Sequence, residues 1–310
     1  KANSKEFKEE EIMPFGSLGL GLGLGRSQVR KLDPATVAYI DRVLSVENAQ
    51  IKNVKCTDSF IRMLRAAGLL DGASKLLGAY SPNFGILPST YDPGDGEITT
   101  IHTAYNVIAT AQDTDAKQTA GALQPKLEYD AENCIWIGKN GEICPANSAL
   151  WTANKTHVWM YFFGCVTVSN PMRRQTLPYS SRSDDVFLRN LIEVAATGYP
   201  EYKTRRGDEA FAKATSLQLI DTTRYVEICG YSDYENNKAY IIVNGANPIE
   251  ATIGGTGGTA SENVESVINS VLRTSDQDNT SFALSIWSDK QLLQAHIDAI
   301  HAWVNSNLRG

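Results

Sequence analysis

Hydrophobic and polar positions divide the chain into two textures. Between residues 32 and 80, apolar side chains recur at three- and four-residue steps, as on one face of a helix. Val37, Ile40, Val43 and Leu44 form the first such set, and Ile51, Val54, Phe60, Met63 and Leu64 the second. Asp33 followed by Pro34 joins an N-cap to the proline favoured in a first turn, which predicts a helix opening there. A second helix is predicted from about Ala49 to Ala67 with Gly68 as its stop, and a third, short one from Gly72 to Tyr80.

From Ser89 onward, short apolar runs separated by turn residues replace the helical spacing. Ile98–Tyr105, Cys134–Ile137, Val158–Val168, Val186–Ala195, Leu217–Ile220, Tyr225–Tyr231, Ala239–Val243, Ile249–Ile253, Val264–Val271 and Phe282–Trp287 read as strands. Many short strands at this spacing favour a sandwich or barrel over a βαβ sheet. Asn244-Gly245 is a strong hairpin signal between two of them. Leu292, Leu293, Ile297, Ile300 and Val304 return to helical spacing, predicting a helix over 289–308 with Ser288 as N-cap and Gln291 completing a capping box. Its apolar face is expected to cover an edge or end of the sandwich. The chain thus divides into a charged, Leu/Gly-rich segment (1–31), a small helical subdomain (32–88) and a mainly β, two-sheet antiparallel sandwich (89–310).

The leader carries the oddest pattern. Phe15, Leu18, Leu20, Leu22 and Leu24 are spaced by glycine, so an extended chain would place the leucines on one face and bare backbone on the other. Such a segment is either a flexible linker or an anchor ordered by adding to a partner's surface. A phosphate loop is disfavoured, because GxxxxGK[ST] is absent and no strand precedes the glycines. Lys1 to Glu11 carries no signal-peptide core, and a start at Lys1 without methionine leads us to expect a longer parent chain.

Composition narrows the partners. A net charge of −6 argues against a general nucleic-acid binder, and the pairs Arg173-Arg174 and Arg205-Arg206 read as solvated surface. Five scattered cysteines make no disulfide framework; Cys134 and Cys144 flank a turn signal, but reduced, half-buried thiols are the favoured reading. His296 and His301 are five apart and share no ligand face, and no run is long enough for a membrane span.

Three stretches, in order, resemble the laminin-G-like, concanavalin A-like lectin/glucanase sandwich in its virion-associated form. They are Tyr105-Asn106-Val107 through Gln118 to Leu127, then Ala239-Tyr240-Ile241-Ile242-Val243-Asn244-Gly245, then Phe282 to Trp287 with the helix that follows. The resemblance spans residues 89–310 and implies a jelly-roll fold. The Leu/Gly leader and the Asp33-Pro34 helical segment are similar to what precedes such sandwiches in phage head and tail appendages. By that resemblance the chain is expected to be a non-enzymatic structural part of a virion exterior, a head fibre or tail protein. Its leader would join other virion proteins, and the chain would be a homo-oligomer. The alternative is a carbohydrate-binding adhesion module for host glycans; a glycan hydrolase is the weaker third.

The chemistry of the side chains fits a binder better than an enzyme. Sandwich glycosidases need paired carboxylates on one strand. The Glu-x-Asp-x-x-Glu run is missing, and Glu227 with Asp233 and Glu235 reads as solvated turn chemistry. A sugar site would pair an aromatic platform with polar partners, which nominates Tyr179, Tyr199, Tyr202 and Tyr234 with Arg173, Arg205, Asp233 and Asn236. Trp136, Trp159 and Trp287 lie in strand patterns and read as core. No cofactor is expected; Asp92, Asp95 and Glu97 have the oxygen chemistry for Ca²⁺ but read first as a polar turn.

Overall fold

The computed structural model describes residues 31–108, 114–145, 151–152, 155–166, 175–182, 188–206, 210–255, 267–270, 272–273 and 280–309. The leader and Arg173 lie outside them. Residues 32–310 belong to one compact unit. It is mainly β, with 14 strands in one antiparallel sheet and 5 in a second among the described residues, and three α-helices.

The fold is organised around β9 (His157–Cys165), which lies inside the large sheet between β14 (Tyr225–Asp233) and β19 (Ser281–Ser288). Its residues are buried continuously from Val158 to Gly164, where a strand with one wet face would alternate. Val158, Met160 and Phe162 enter a core shared with the small sheet, including Leu177, Ile192, Val194 and Tyr202. Trp159, Tyr161 and Phe163 point the other way, into a second core with Tyr39, Val43, Phe60, Leu64, Ile300, Trp303 and Val304. The molecule therefore has three layers: small sheet, large sheet, helices. The expected two-sheet antiparallel sandwich with small helical parts is present, and the C-terminal helix covers a face of the large sheet rather than an edge or end.

The helices form where the caps direct them. In α1 (Pro34–Leu44), Asp33 accepts the N–H of Ala35 at 2.8 Å. α2 (Val54–Ala66) starts later than predicted because Gln50–Ile51 forms β1, paired with β3 (Gly85–Tyr91); Asn53 then caps the helix through the N–H of Cys56. Gly68 at φ +70° ends it. The third predicted helix does not form: Gly78–Tyr80 is β2, paired with β19. α3 (Gln294–Asn307) also starts later than predicted, since Ser288 still belongs to β19. Phe60 of α2 meets Trp303 of α3 edge-on, with ring centroids 4.7 Å apart.

Between the sheets lies a knot of hydrogen-bonded side chains. Asn190 on β11 (Leu188–Val194) accepts from Thr204 at 2.7 Å, Tyr234 at 2.9 Å and Tyr202 at 3.1 Å through Oδ1. Tyr202 and Thr204 are on β12 (Pro200–Thr204), and Tyr202 also shares a hydrogen bond with Ser232 of β14. Satisfied polar groups of this kind fix the register of one layer on the other, since each unpaired buried group would be costly. On the helix side the counterpart is Glu227, whose carboxylate is met by Tyr161 Oη at 2.9 Å, His301 Nδ1 at 2.8 Å and Arg309 at 2.9 Å. Glu227 is thus no solvated turn carboxylate: it is 3% exposed and ties the end of α3 to β14.

The Asn244-Gly245 hairpin joins β15 (Lys238–Val243) to β16 (Ile249–Thr252), with both turn residues at positive φ as that turn requires. Leu217–Ile220 is a loop rather than a strand, with Leu217 and Leu219 exposed. Arg205 and Arg206 are buried rather than solvated: Arg205 lies over Phe211, and Arg206 donates to the carbonyls of Tyr234 and Gly255. The five cysteines are free thiols.

The seating of the layers gives a direct test. Gly230 on β14 faces the Tyr202 ring, and an added Cβ would lie 2.0 Å from its Cδ2. Gly230→Ala should destabilise the fold by about 1–3 kcal/mol through overpacking, seen as a lower denaturation midpoint at unchanged m-value. Wild-type stability would contradict this packing.

Candidate functional site

A polar recess among the described residues arises from a shared strand edge. β7 (Ile135–Lys139) pairs with β19 only at Lys139↔Ser281 and Gly138↔Phe282, while β2 occupies the same edge from Ser285 to Trp287. Beyond Gly138, β7 has no place on β19, and Asn83 takes over the backbone of Trp136 instead. Its Oδ1 accepts the Trp136 N–H at 2.8 Å and its Nδ2 donates to the Trp136 carbonyl at 2.9 Å. The hairpin of β6 (Lys126–Asp130) and β7 thereby leaves the sheet, with Cys134 in its turn at φ 55°. Between this hairpin and the ends of β9, β14 and β19 lies a cleft of about 520 Å³.

Asp130 organises the cleft. Its Oδ1 accepts the turn amides of Glu132 at 3.0 Å and Asn133 at 3.2 Å, while Oδ2 accepts Asn133 Nδ2 at 2.9 Å and Tyr225 Oη at 2.7 Å. Tyr225 reaches across from β14, its ring stacked on Phe163 at 5.3 Å. Burial alone would raise the Asp130 carboxyl, but these donors outweigh it and hold the group below the usual range. The Tyr225 hydroxyl is pushed well above its ordinary value, by burial first and by the Asp130 carboxylate second. Glu128 stands two residues before Asp130, hence on the same strand face, bridged by Lys139 at 2.6 Å and Lys126 at 2.8 Å. Burial again acts upward there and the two ammonium groups prevail, so Glu128 also sits low.

Tyr129 stands between the two carboxylates in β6, so its ring is on the opposite strand face, 51% exposed and tilted against Trp136 at 5.2 Å. Trp136 is half-buried rather than core, with Lys52 Nζ 4.4 Å from its ring centroid. The sequence carries the signal for this site in Glu128-Tyr129-Asp130: two carboxylates two apart on a strand, ahead of a turn. A search for a six-residue acidic run passes over it.

The described residues nominated from sequence lie outside this cleft, and they line no shared recess. Tyr202 and Tyr234 are wholly buried in the interlayer knot, so neither offers a ring face to a ligand. Tyr179 is buried with its hydroxyl donating to Glu142 at 2.6 Å. Arg205 is buried under Phe211, and Tyr199 is half-buried in the turn before β12. Asp233 and Asn236 do meet, Asp233 accepting both the backbone and side-chain N–H groups of Asn236 at 3.0 and 2.8 Å. Arg173 and the leader residues Phe15, Leu18, Leu20, Leu22 and Leu24 are outside the described residues. Asp92, Asp95 and Glu97 are exposed, and Asp92 spends Oδ1 on the N–H groups of Gly94 and Gly96. Among the described residues, no group of three or more His, Cys, Asp or Glu side chains could hold a metal ion.

No family model and no curated protein matches the chain. Solved structures resemble it at low identity. The binding domain of botulinum neurotoxin serotype D matches with TM-score 0.48 and 9% identity, over 73% of this chain and 50% of that one. The type G receptor-binding domain gives 0.47 and 9%, over 74% and 51%. The serotype D domain in complex with N-acetylneuraminic acid gives 0.45 and 7%, over 73% and 50%. The chain spans about half the length of these domains, and likeness at this level assigns it neither ligand nor role.

The Tyr225–Asp130 bond is open to measurement. In Tyr225→Phe, Asp130 loses one donor, and its carboxyl should titrate higher than in the unaltered chain, followed by carbon-detected NMR. An unmoved titration would mean that the hydroxyl does not organise Asp130.

Proposed function

We propose that this chain is a carbohydrate-binding β-sandwich module whose ligand is an uncharged glycan held in the cleft beside the β6–β7 hairpin. The observation that carries the reading is one recess in which Glu128 and Asn133, fixed around Asp130, stand beside the half-buried Tyr225 ring. A sugar ring stacks its apolar face on an aromatic side chain while carboxylates and amides read its hydroxyls. Asp130, Asn133 and Glu128 are held by their own partners, so little ordering accompanies binding.

Charge selects the class. Glu128, Asp130 and Glu132 face one ammonium, Lys139, among the lining residues. An acidic sugar would meet net repulsion there. The same electrostatics argues against hydrolysis: a glycosidase needs one carboxyl raised to donate a proton, and both Glu128 and Asp130 are held low. The finer expectation, a structural part of a phage particle, rests on the sequence resemblance alone.

A glycan array with neutral and anionic members tests the reading. Neutral glycans should be retained, and Asn133→Ala or Asp130→Asn should each weaken binding at least tenfold at unchanged melting temperature. Retention of anionic glycans only, or binding indifferent to both substitutions, would refute it.

A further inference from the structure

A second recess lies on the helix-facing side of the large sheet, far along β14 from the Tyr225 end. It is a slot of about 190 Å³ between the sheet and the start of α3. Its floor is a row of aromatic residues set by strand register: Trp159 on β9 is opposite Tyr231 on β14, which is opposite Tyr240 on β15. The Tyr231 and Tyr240 rings stack at 5.7 Å and 14°, and His157 stacks on Tyr231 at 5.9 Å. Leu292 and Ile297 close it from above. Asp233, two residues after Tyr231 and on the same face, is 5% exposed and carries the only formal charge among the described lining residues.

The geometry points to a binding site for a small organic cation of the quaternary ammonium type. Aromatic rings attract such a cation through their π electrons, and a nearby carboxylate strengthens the attraction where water is sparse. A quaternary ammonium also suits the state of Asp233. Each carboxylate oxygen accepts one hydrogen bond from Asn236, which holds the negative charge in place beside the slot. A ligand with methyl groups needs only charge and apolar contact. Around the slot, His157 Nδ1 stands 3.8 Å from Asp233 and 2.8 Å from the Tyr231 hydroxyl, Glu235 lies 3.9 Å from His157 Nε2, and Lys238 is paired with Glu250. The lysine charge is thereby spent outside the slot.

The probe is choline chloride against 3,3-dimethyl-1-butanol, its uncharged isostere, titrated into the full chain at constant ionic strength. Intrinsic tryptophan fluorescence and calorimetry serve as readouts. Choline should bind at least tenfold more tightly than the isostere, and Asp233→Asn and Tyr240→Ala should each weaken it tenfold or more. Equal binding of the two probes would reduce the slot to a merely apolar one and overturn the proposal, as would no choline binding at millimolar concentration. The isostere comparison uses the unaltered chain, so it decides the matter even if Asp233→Asn fails to fold.

Discussion

The interaction on which the rest of this structure depends is the burial of β9 and β14 on both faces. Val158, Met160 and Phe162 need one cover, and Trp159, Tyr161 and Phe163 need another. At roughly 25 cal/mol per Å² of apolar surface removed from water, a row of large side chains on either face represents many kcal/mol. The small sheet supplies one cover and the three helices the other. Polar groups survive in both cores where their partners are complete, as around Asn190 and around Glu227. Each of these knots ties a covering layer to the central sheet in one register.

The site follows from the edges that such a sheet leaves. β19 has one free side, and both β2 and β7 pair along it. β2 brings the chain back from the helical segment and takes the length from Ser285 to Trp287; β7 is left two positions. The hairpin that cannot stay on the sheet becomes one wall of the cleft, and the ends of β9, β14 and β19 become the other. Tyr225 spans the gap to Asp130. The recess is thus a consequence of strand competition, with its polar groups fixed by bonds to their own backbone and neighbours.

Much of the fold is legible in the sequence, and the misses have physical causes. The Asp33-Pro34 cap, the Gly68 stop and the Asn244-Gly245 turn are local signals and act locally. The third layer is also written in the chain, in the unbroken apolar run of β9, but counting strands alone reads that run as a sandwich core. Gly72 to Tyr80 has helical spacing and is drawn into a strand by the open edge of β19, a tertiary demand that propensity does not contain. Tyr202 and Tyr234 stand beside polar turns in sequence, yet strand register turns them inward. The chemistry of Glu128 and Asp130 depends on how far the β6–β7 hairpin stays on β19, which Asn83, β2 and β19 itself decide from distant parts of the chain.

The cleft beside the β6–β7 hairpin is the proposed glycan site. The most direct measurement is the map of backbone amide shifts when a neutral oligosaccharide is titrated into the isotopically labelled chain. The predicted map has its largest changes at Glu128–Asn133, Lys139 and Thr223–Tyr225. Saturable shifts confined to any other face of the sandwich would contradict it.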